Sequence, residues 1–456
     1  MGFVSFDVAV VGGGVAGLSA AFEIRRRRPD WSIKVLEREE VAGGKVRSSS
    51  SGGFTFDWGP NGFQPSQATF DLISLLGLEE ELIEASPRAR KRYLYRAGGL
   101  RPVPLKPQEF LSSELLSPAG KVRALLEPFL AGTPPSGEET VFAFAARHFG
   151  PEAARSLASP MVLGVAAGDA RQLSVDALFP RIRQLEREHG SLLKGMAKMQ
   201  RASRGAGRPA SAALYSFAPG SMGTLTAELA RQLGESVVAG AEVESLKWAA
   251  DSGFELTLAG GERLAAARVV LSTPAFVSAD LLHPLLPAAA APLRQIPYAD
   301  VTVFALAFGR VDVPHALDGF GFLVPRGEGV RSLGVIWTSA LFEGSAPPGT
   351  VLLRVIAGGS VDPAFASLDE AEALAAVRRD LRLTMGITAE PLMSETVRIP
   401  RAIPQYLPGH LSRIGEALAA VRSMPGLALA GNALSGVAVN DCIRDAQRVA
   451  DEVTGS

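Results

Sequence analysis

The chain has 456 residues and a single cysteine, Cys442. One thiol excludes an intramolecular disulfide and a cysteine-built metal site, and it fits a reducing, cytoplasmic compartment. Histidine is almost as scarce. His148, His189, His283, His315 and His410 are scattered, with no H-x-x-x-H spacing, which argues against a zinc or iron centre. No uninterrupted apolar run approaches the ~20 residues of a transmembrane helix. No basic stretch precedes the first apolar run, and Asp7 interrupts that run, so no signal peptide is expected. Phe6 stands where N-myristoylation on Gly2 would need Ser or Thr. A G-x-S-x-G elbow is lacking, which removes a common serine-hydrolase arrangement. The net charge of −1 leaves no basic surplus, and no nucleic-acid partner is expected.

What the chain does have is apolar bulk: 47% hydrophobic against 20% charged residues, enough for two or three domains. Asp7–Val11 is a short, β-branched run of the kind buried in a parallel sheet. A glycine turn follows, then a helical pattern over about 15–28 that Pro29-Asp30 stops. Arg25–Arg28 lie at the C-terminal end of that helix, where positive charge is favoured, and read as a solvated end. Ser32–Leu36 is a second strand, completing a βαβ unit. From about 105 to 215 the pattern is helical, at Leu111–Leu116, Lys121–Leu130, Phe142–Phe149 and Leu173–Met199. Residues 201–211, rich in Gly and Arg, read as a flexible loop. Strand patterns return at Val237–Leu246, Phe254–Leu258, Val269–Ser272, Val301–Phe308 and Val351–Ile356. Leu427–Ala430 is a last short strand before a helix over about 440–453. Nucleotide-type signals fall at both ends and in the middle, so a nucleotide domain is expected to be assembled from discontinuous pieces.

Gly12-Gly13-Gly14-Val15-Ala16-Gly17 fits G-x-G-x-x-G. In such a unit the first glycine permits the tight turn and the second lets backbone approach a pyrophosphate. The third permits close helix–strand packing, and the helix N-terminus offers N–H groups and partial positive charge to the phosphates. In a chain with 48 glycines the hexapeptide alone is a weak signal. Here a strand precedes it, a helix follows it, and Glu37 ends the next strand. A carboxylate at that position accepts hydrogen bonds from ribose hydroxyls and repels a 2′-phosphate. Downstream, Glu37-Arg38-Glu39-Glu40-Val41-Ala42-Gly43-Gly44-Lys45-Val46-Arg47-Ser48 resembles the second fingerprint of the flavin amine oxidase superfamily, E-x(5)-G-G-[RK]-x-x-[ST]. That resemblance implies FAD rather than NAD, with Gly44 passing the pyrophosphate and Lys45 offering charge.

Further stretches resemble the protoporphyrinogen oxidase family, in the family's order from residue 8 to about 446. They are Phe56-Asp57-Trp58-Gly59-Pro60-Asn61-Gly62-Phe63, Lys91–Tyr95 with Gly98–Pro104, Gly319–Pro325, and Leu429–Asn432 with Gly436–Ile443. The fold this implies is α/β: a Rossmann-type FAD-binding domain, a mixed-sheet substrate domain and an inserted helical membrane-docking domain. The expected boundaries are 1–80, 220–275 and 411–456 for the first, 81–104 and 276–410 for the second, and 105–219 for the third. The resemblance places Gly59, Pro60, Asn61 and Gly62 beneath the flavin ring and the Val243 backbone against the adenine. It places Gly431, Asn432 and the Val437, Ala438 and Val439 backbone at the flavin N1/O2 edge. There a helix N-terminus stabilises the negative charge of reduction. Arg92 is the expected anchor for a substrate propionate, since arginine pairs bidentately with carboxylate. Phe276, Leu281, Leu282, Phe320 and Phe322 are candidate walls for a flat macrocycle, and each also reads as core.

The implied activity is oxidation of protoporphyrinogen IX by FAD, with O₂ as acceptor giving H₂O₂. No catalytic acid or base is named, because flavin N5 carries the chemistry. Expected partners are the porphyrinogen, O₂, a membrane surface on its cytoplasmic face, and a second copy in a homodimer. Two other readings stand beside this one. A coproporphyrinogen III oxidase of the same family usually carries G-V-G-[IL]-P-D-C-I, whereas this chain reads Gly436-Val-Ala-Val-Asn-Asp-Cys-Ile443. A non-catalytic porphyrin-binding flavoprotein is the other, though no flavin contact is deleted.

Overall fold

The computed structural model describes residues 4–205, 213–249 and 253–455. β1 (Val4–Val11) lies parallel to β2 (Ile33–Leu36) on one side and to strand Arg263–Leu271 on the other. A strand so enclosed is covered on both faces along Val8–Val11, which is why that part of its sequence is an unbroken apolar run rather than an alternating one. Val8 and Val10 enter a core shared with α1 (Val15–Arg27) and the final helix Val439–Thr454. Ala9 and Val11 enter a second core beneath helices Ala275–Leu282 and His410–Arg422. Strands Val237–Val238, Val243–Ala249, Gly253–Leu258 and Leu427–Leu429 complete this seven-stranded sheet.

A second seven-stranded sheet runs in the order 393–404, 298–309, 350–358, 332–336, 321–323, 93–96 and 99–102. Its pairings are antiparallel except that Gly321–Leu323 runs parallel to Tyr93–Arg96. Helix Glu370–Met385, opened by an Asp369/Glu372 capping box, covers one face through Val377 and Leu381. The other face receives Phe54, Phe56 and Trp58 from the end of β4 (Phe54–Asp57), which pairs with β3 (Ser48–Ser51).

Residues between these sheets in sequence form helices packed around an ionic centre as well as an apolar one. His148 is fully buried, with Nδ1 2.7 Å from Glu127 and Nε2 2.9 Å from Glu186. Arg147 and Arg183 pair with Glu139 and Glu186 beside it. Buried charges are tolerable only when paired and hydrogen-bonded in this way. Among the described residues no helix is long and apolar enough to cross a membrane.

Several expected elements are divided. The segment Leu173–Met199 is three helices, Val175–Leu178, Pro180–His189 and Leu192–Gly205. Pro180 opens the second and Gly190, at φ 66°, closes it, both acting as helix punctuation. Lys121–Leu130 breaks at Leu126, and Val237–Leu246 breaks around Gly240, at φ 69°. Residues 201–205 of the expected loop are the last turn of a helix, and 206–211 lie outside the described residues. Arg25 is also more than a solvated helix end: its guanidinium donates to the carbonyls of Gln232 and Leu233, at 3.1 and 3.0 Å. Arg27 pairs with Asp451 at 2.6 Å.

Candidate functional site

The glycine turn is built by contact, not only by flexibility. Gly12 has φ 104°, and its carbonyl accepts from the Ser272 hydroxyl at 2.7 Å. A Cβ on Gly17 would stand 2.0 Å from the Gly12 carbonyl oxygen, so α1 packs against β1 with no room for a side chain. Gly14 is the opposite case: a Cβ there would meet nothing closer than the Gly44 Cα at 3.9 Å. Gly14 is also the N-cap of α1, with no side chain capping the helix and no acidic residue in its first turn. Buried Val15 and Ala16 hold that first turn to the core. An uncapped N-terminus opening on a bare glycine is suited to an anion.

Glu37, Gly43 and Gly44 close around this turn. The Glu37 carboxylate accepts from the Gly13 N–H at 2.7 Å and the Glu39 N–H at 3.0 Å. The Gly43 N–H donates to the Gly13 carbonyl at 2.8 Å, and a Cβ on Gly44 would lie 2.9 Å from the Gly14 Cα. Exposed Arg38 pairs with Glu39 instead of entering the turn. The Glu37 carbonyl takes the Ala241 N–H, bringing buried Val243 near by, at a register shift in its strand.

Lys45 turns away from the glycines. Its ammonium donates to the Ala402 and Arg401 carbonyls, lies 5.4 Å above the Tyr298 ring, and is pulled down to about 8 by burial. The next stretch is pinned against it, since a Cβ on Gly59 would fall 1.8 Å from the Lys45 carbonyl oxygen. Gly62 is equally confined, by Leu214 and the Tyr215 carbonyl. Beyond half-buried Pro60, Asn61 has a buried Nδ2 with no partner among the described residues. Asn440 links this stretch to the final helix, accepting from Thr69 at 2.7 Å and donating to the Gln64 carbonyl at 2.8 Å.

The C-terminal turn reaches the same place. Gly431, at φ 127°, donates to Asp445 at 3.1 Å, and the Asn432 carbonyl accepts from the Tyr406 hydroxyl. Val437 and Ala438 lead into Val439, where the final helix begins without a side-chain cap. Two uncapped helix N-termini and an orphaned amide therefore meet around the 43–45 turn. Donor N–H groups and partial positive charge fit a group with a diphosphate at one end and an electron-accepting ring at the other. Around the Gly43–Gly44 turn the structure gathers Gly12–Gly14, Glu37 and the Gly59 strip, while the Arg38 side chain stays outside and the Lys45 ammonium turns to the 401–402 carbonyls.

Asp57 and Arg354 sit behind this strip and were not singled out from the sequence. Arg354, on strand Thr350–Gly358, donates to the Trp58 carbonyl at 3.1 Å and to the Gly59 carbonyl. Burial pulls it down to about 10. Asp57 accepts from Ser48 and, at 2.9 Å, from the Met222 N–H, yet burial still pushes it up to about 6. A mid-strand arginine in an apolar run carries no motif that would have found it.

Around Arg92 the structure separates four basic neighbours. Lys91 pairs with Asp318 at 2.5 Å, Arg96 bonds Leu115 and Ser156, and Arg88 and Arg90 are exposed on a short turn. Arg92 is exposed and has no acidic partner among the described residues; its guanidinium lies 5.1 Å over the Phe320 ring, and partial desolvation there lowers its pKa. Half-buried Phe276 carries a similar pair, with Arg401 4.4 Å over its ring and Tyr298 edge-on at 5.2 Å. Arg401 was also missed, though its φ of 48° marks a held backbone, bonded through its N–H to Asp300. Three expected wall residues are buried in the core. Leu281 and Leu282 pack into the core with Val243 and Leu258, and Phe322 packs into the core with Trp337. Helical and strand periodicity marked them as apolar but could not say which apolar side they face.

The profile of the family described as flavin containing amine oxidoreductase matches residues 15–454. The chloroplastic protoporphyrinogen oxidase of Nicotiana tabacum is 34% identical over 472 residues, covering 98% of this chain and 85% of that protein. The coproporphyrinogen III oxidase of Propionibacterium freudenreichii subsp. freudenreichii is 33% identical over 489 residues, covering 98% and 90%. Among solved structures, a protein from Exiguobacterium sp. 255-15, provisionally described as a protoporphyrinogen oxidase, superposes with a TM-score of 0.84 at 25% identity, over 99% of both chains.

Asp57 gives a pH prediction. Its folded pKa of about 6 lies above the ordinary 3.8, so between those values the folded chain binds more protons than the unfolded one. Stability is therefore lost as pH rises through that window, and the loss is complete above about 6. Asp57→Asn removes the effect. Its stability relative to wild type is expected to climb through the window and then level off, by on the order of 2–3 kcal/mol. Thermal unfolding of both proteins from acidic to neutral pH measures this, and a difference that stays flat with pH contradicts it.

Proposed function

Because the chain belongs to the flavin containing amine oxidoreductase family, we propose that it oxidises protoporphyrinogen IX to protoporphyrin IX, passing electrons through FAD to O₂ with release of H₂O₂. FAD is its cofactor, and when bound it supplies the hydride acceptor. The remaining work belongs to the chain. Gly12–Gly17 and the start of α1 bind the pyrophosphate, Glu37 the ribose, and the Val243 backbone the adenine. The Val437–Val439 backbone faces the ring edge where negative charge develops. Lys45 holds the 401–402 backbone in place beside it.

A porphyrinogen needs no strong base to react. Each bridging methylene lies between two electron-rich pyrroles, so its C–H bond can part with a hydride, carrying both bonding electrons, to leave a delocalised cation. Loss of a pyrrole N–H proton then completes one two-electron oxidation. Three two-electron oxidations make the porphyrin: three methylenes each lose a hydride, the fourth loses a proton, and two pyrrole nitrogens lose theirs, while each oxidation reduces one O₂ by two electrons and two protons. The protein must orient the methylene and exclude water. Arg92 carries this reading: it is an unpaired, partly desolvated guanidinium backed by Phe320, positioned to take a propionate. Phe276 and Phe320 remain as candidate walls.

One observation favours the tetracarboxylate substrate. Arg401 on Phe276 is a second cation without an acidic partner among the described residues, and coproporphyrinogen III has two more propionates to hold. Membrane contact is also part of the proposal. Leu105, Leu111, Val122, Leu125, Phe129 and Met199 are exposed on the helical region, Phe129 to 81%. Their apolar surface suits attachment to the cytoplasmic face of a bilayer. Phe129→Glu is expected to cut cosedimentation with anionic vesicles several-fold, and unchanged cosedimentation of both proteins argues against it.

A side-by-side fluorescence assay tests the substrate. Protoporphyrinogen IX is expected to give the higher kcat/KM. A preference of tenfold or more for coproporphyrinogen III, about 1.4 kcal/mol of transition-state discrimination, reverses the assignment. In the same assay Arg92→Ala is expected to raise KM or lower turnover with FAD retained. Release of FAD by that variant would put Arg92 in the wrong site.

A further inference from the structure

We propose that Arg354 is a positioning residue for the cofactor: its buried positive charge, applied through the Trp58 and Gly59 carbonyls, raises the reduction potential of bound FAD. The inference needs FAD but is independent of the substrate.

The first observation is that the charge has no structural necessity where it stands. Arg354 is only 5% exposed, mid-strand in the second sheet, opposite Ala305 on one neighbour and Ile336 on the other. Leu352 and Ile356, two residues either side of it and therefore on the same face, are apolar, and an aliphatic residue would continue that face. Removing a guanidinium from water is expensive unless the site repays it with full pairing. Here repayment is partial. No carboxylate lies within ion-pair distance among the described residues, only carbonyls accept from it, and its Nε has no partner.

The second observation is where those carbonyls are. Gly59 is clasped between the Lys45 carbonyl, which leaves no space for a Cβ, and the Arg354 guanidinium. The strip continues through Asn61, whose Nδ2 is orphaned, to Gln64, which Asn440 ties to the first turn of the final helix. Arg354 thus backs the one stretch that runs from the 43–45 turn to the helix start assigned to the ring. Two-electron reduction leaves negative charge at the cofactor, and a fixed cation in a water-poor setting stabilises it without reorganisation. Asp57, the charge that acts most on Arg354, opposes that effect.

The alternative is that Arg354 only ties the second sheet to the 58–59 stretch, and the two roles separate by measurement. The readout is the potential of bound FAD, obtained by equilibration with a reference dye, alongside FAD content. Arg354→Met is expected to make reduction about tenfold less favourable, or about 30 mV lower for a two-electron couple. Arg354→Lys, which keeps the charge, should stay within about threefold of wild type. Asp57→Asn, which keeps an acceptor for Ser48 and Met222, should shift the equilibrium about threefold the other way. An FAD-loaded Arg354→Met with the wild-type potential overturns the proposal. Should that variant fail to hold FAD, an Asp57→Asn potential equal to or below wild type overturns it.

Discussion

A diphosphate must be held by backbone, and backbone can reach it only where side chains are missing. The 2.0 Å that a Gly17 Cβ would leave to the Gly12 oxygen is a direct expression of that demand. It forces α1 onto β1, leaves the α1 N-terminus uncapped, and exposes Gly14 to whatever approaches. The Gly43–Gly44 turn can then lie against Gly14, which brings Lys45 beside Gly59 and the 401–402 carbonyls. From that contact the second sheet, the strip beneath the ring and the final helix all take their positions.

Charge is distributed by the same logic. Where the diphosphate is expected, the chain presents N–H groups and helix ends rather than side-chain cations. Lys45, expected to offer charge to the pyrophosphate, spends its hydrogen bonds on backbone carbonyls and becomes a structural tie. The helical region uses charge differently: His148, Glu127, Glu186, Arg147 and Arg183 satisfy one another inside it. Beside that interior, Leu105, Leu111, Val122, Leu125 and Phe129 face outward.

Much of the cofactor end was legible because its chemistry is local. Gly12–Gly17 and Glu37 lie within one βαβ unit, where strand, turn and helix each leave a pattern of their own. The C-terminal turn was legible only through resemblance, since nothing in Leu429–Ile443 by itself specifies a ring edge. The substrate end leaves a less specific pattern. Apolar periodicity marked Leu281, Leu282 and Phe322 as buried, but burial against core and burial against a ligand look alike in sequence. Arg354 and Arg401 act across contacts of 295 residues or more and of 125 in sequence, to Gly59 and Phe276, so no local signal exists for either. The helix breaks at Leu126 and Gly190 are local but were overridden in reading by the longer apolar pattern.

The central claim is that the site around the Gly12–Gly17 turn holds FAD where a porphyrinogen can reduce it. The most direct measurement is anaerobic addition of protoporphyrinogen IX to the FAD-loaded protein while the flavin absorbance is followed. The account predicts that the yellow band bleaches as porphyrin fluorescence appears, and that admitting O₂ restores the band. A band that persists with porphyrinogen bound would contradict it and leave a flavoprotein that binds a porphyrin without oxidising it.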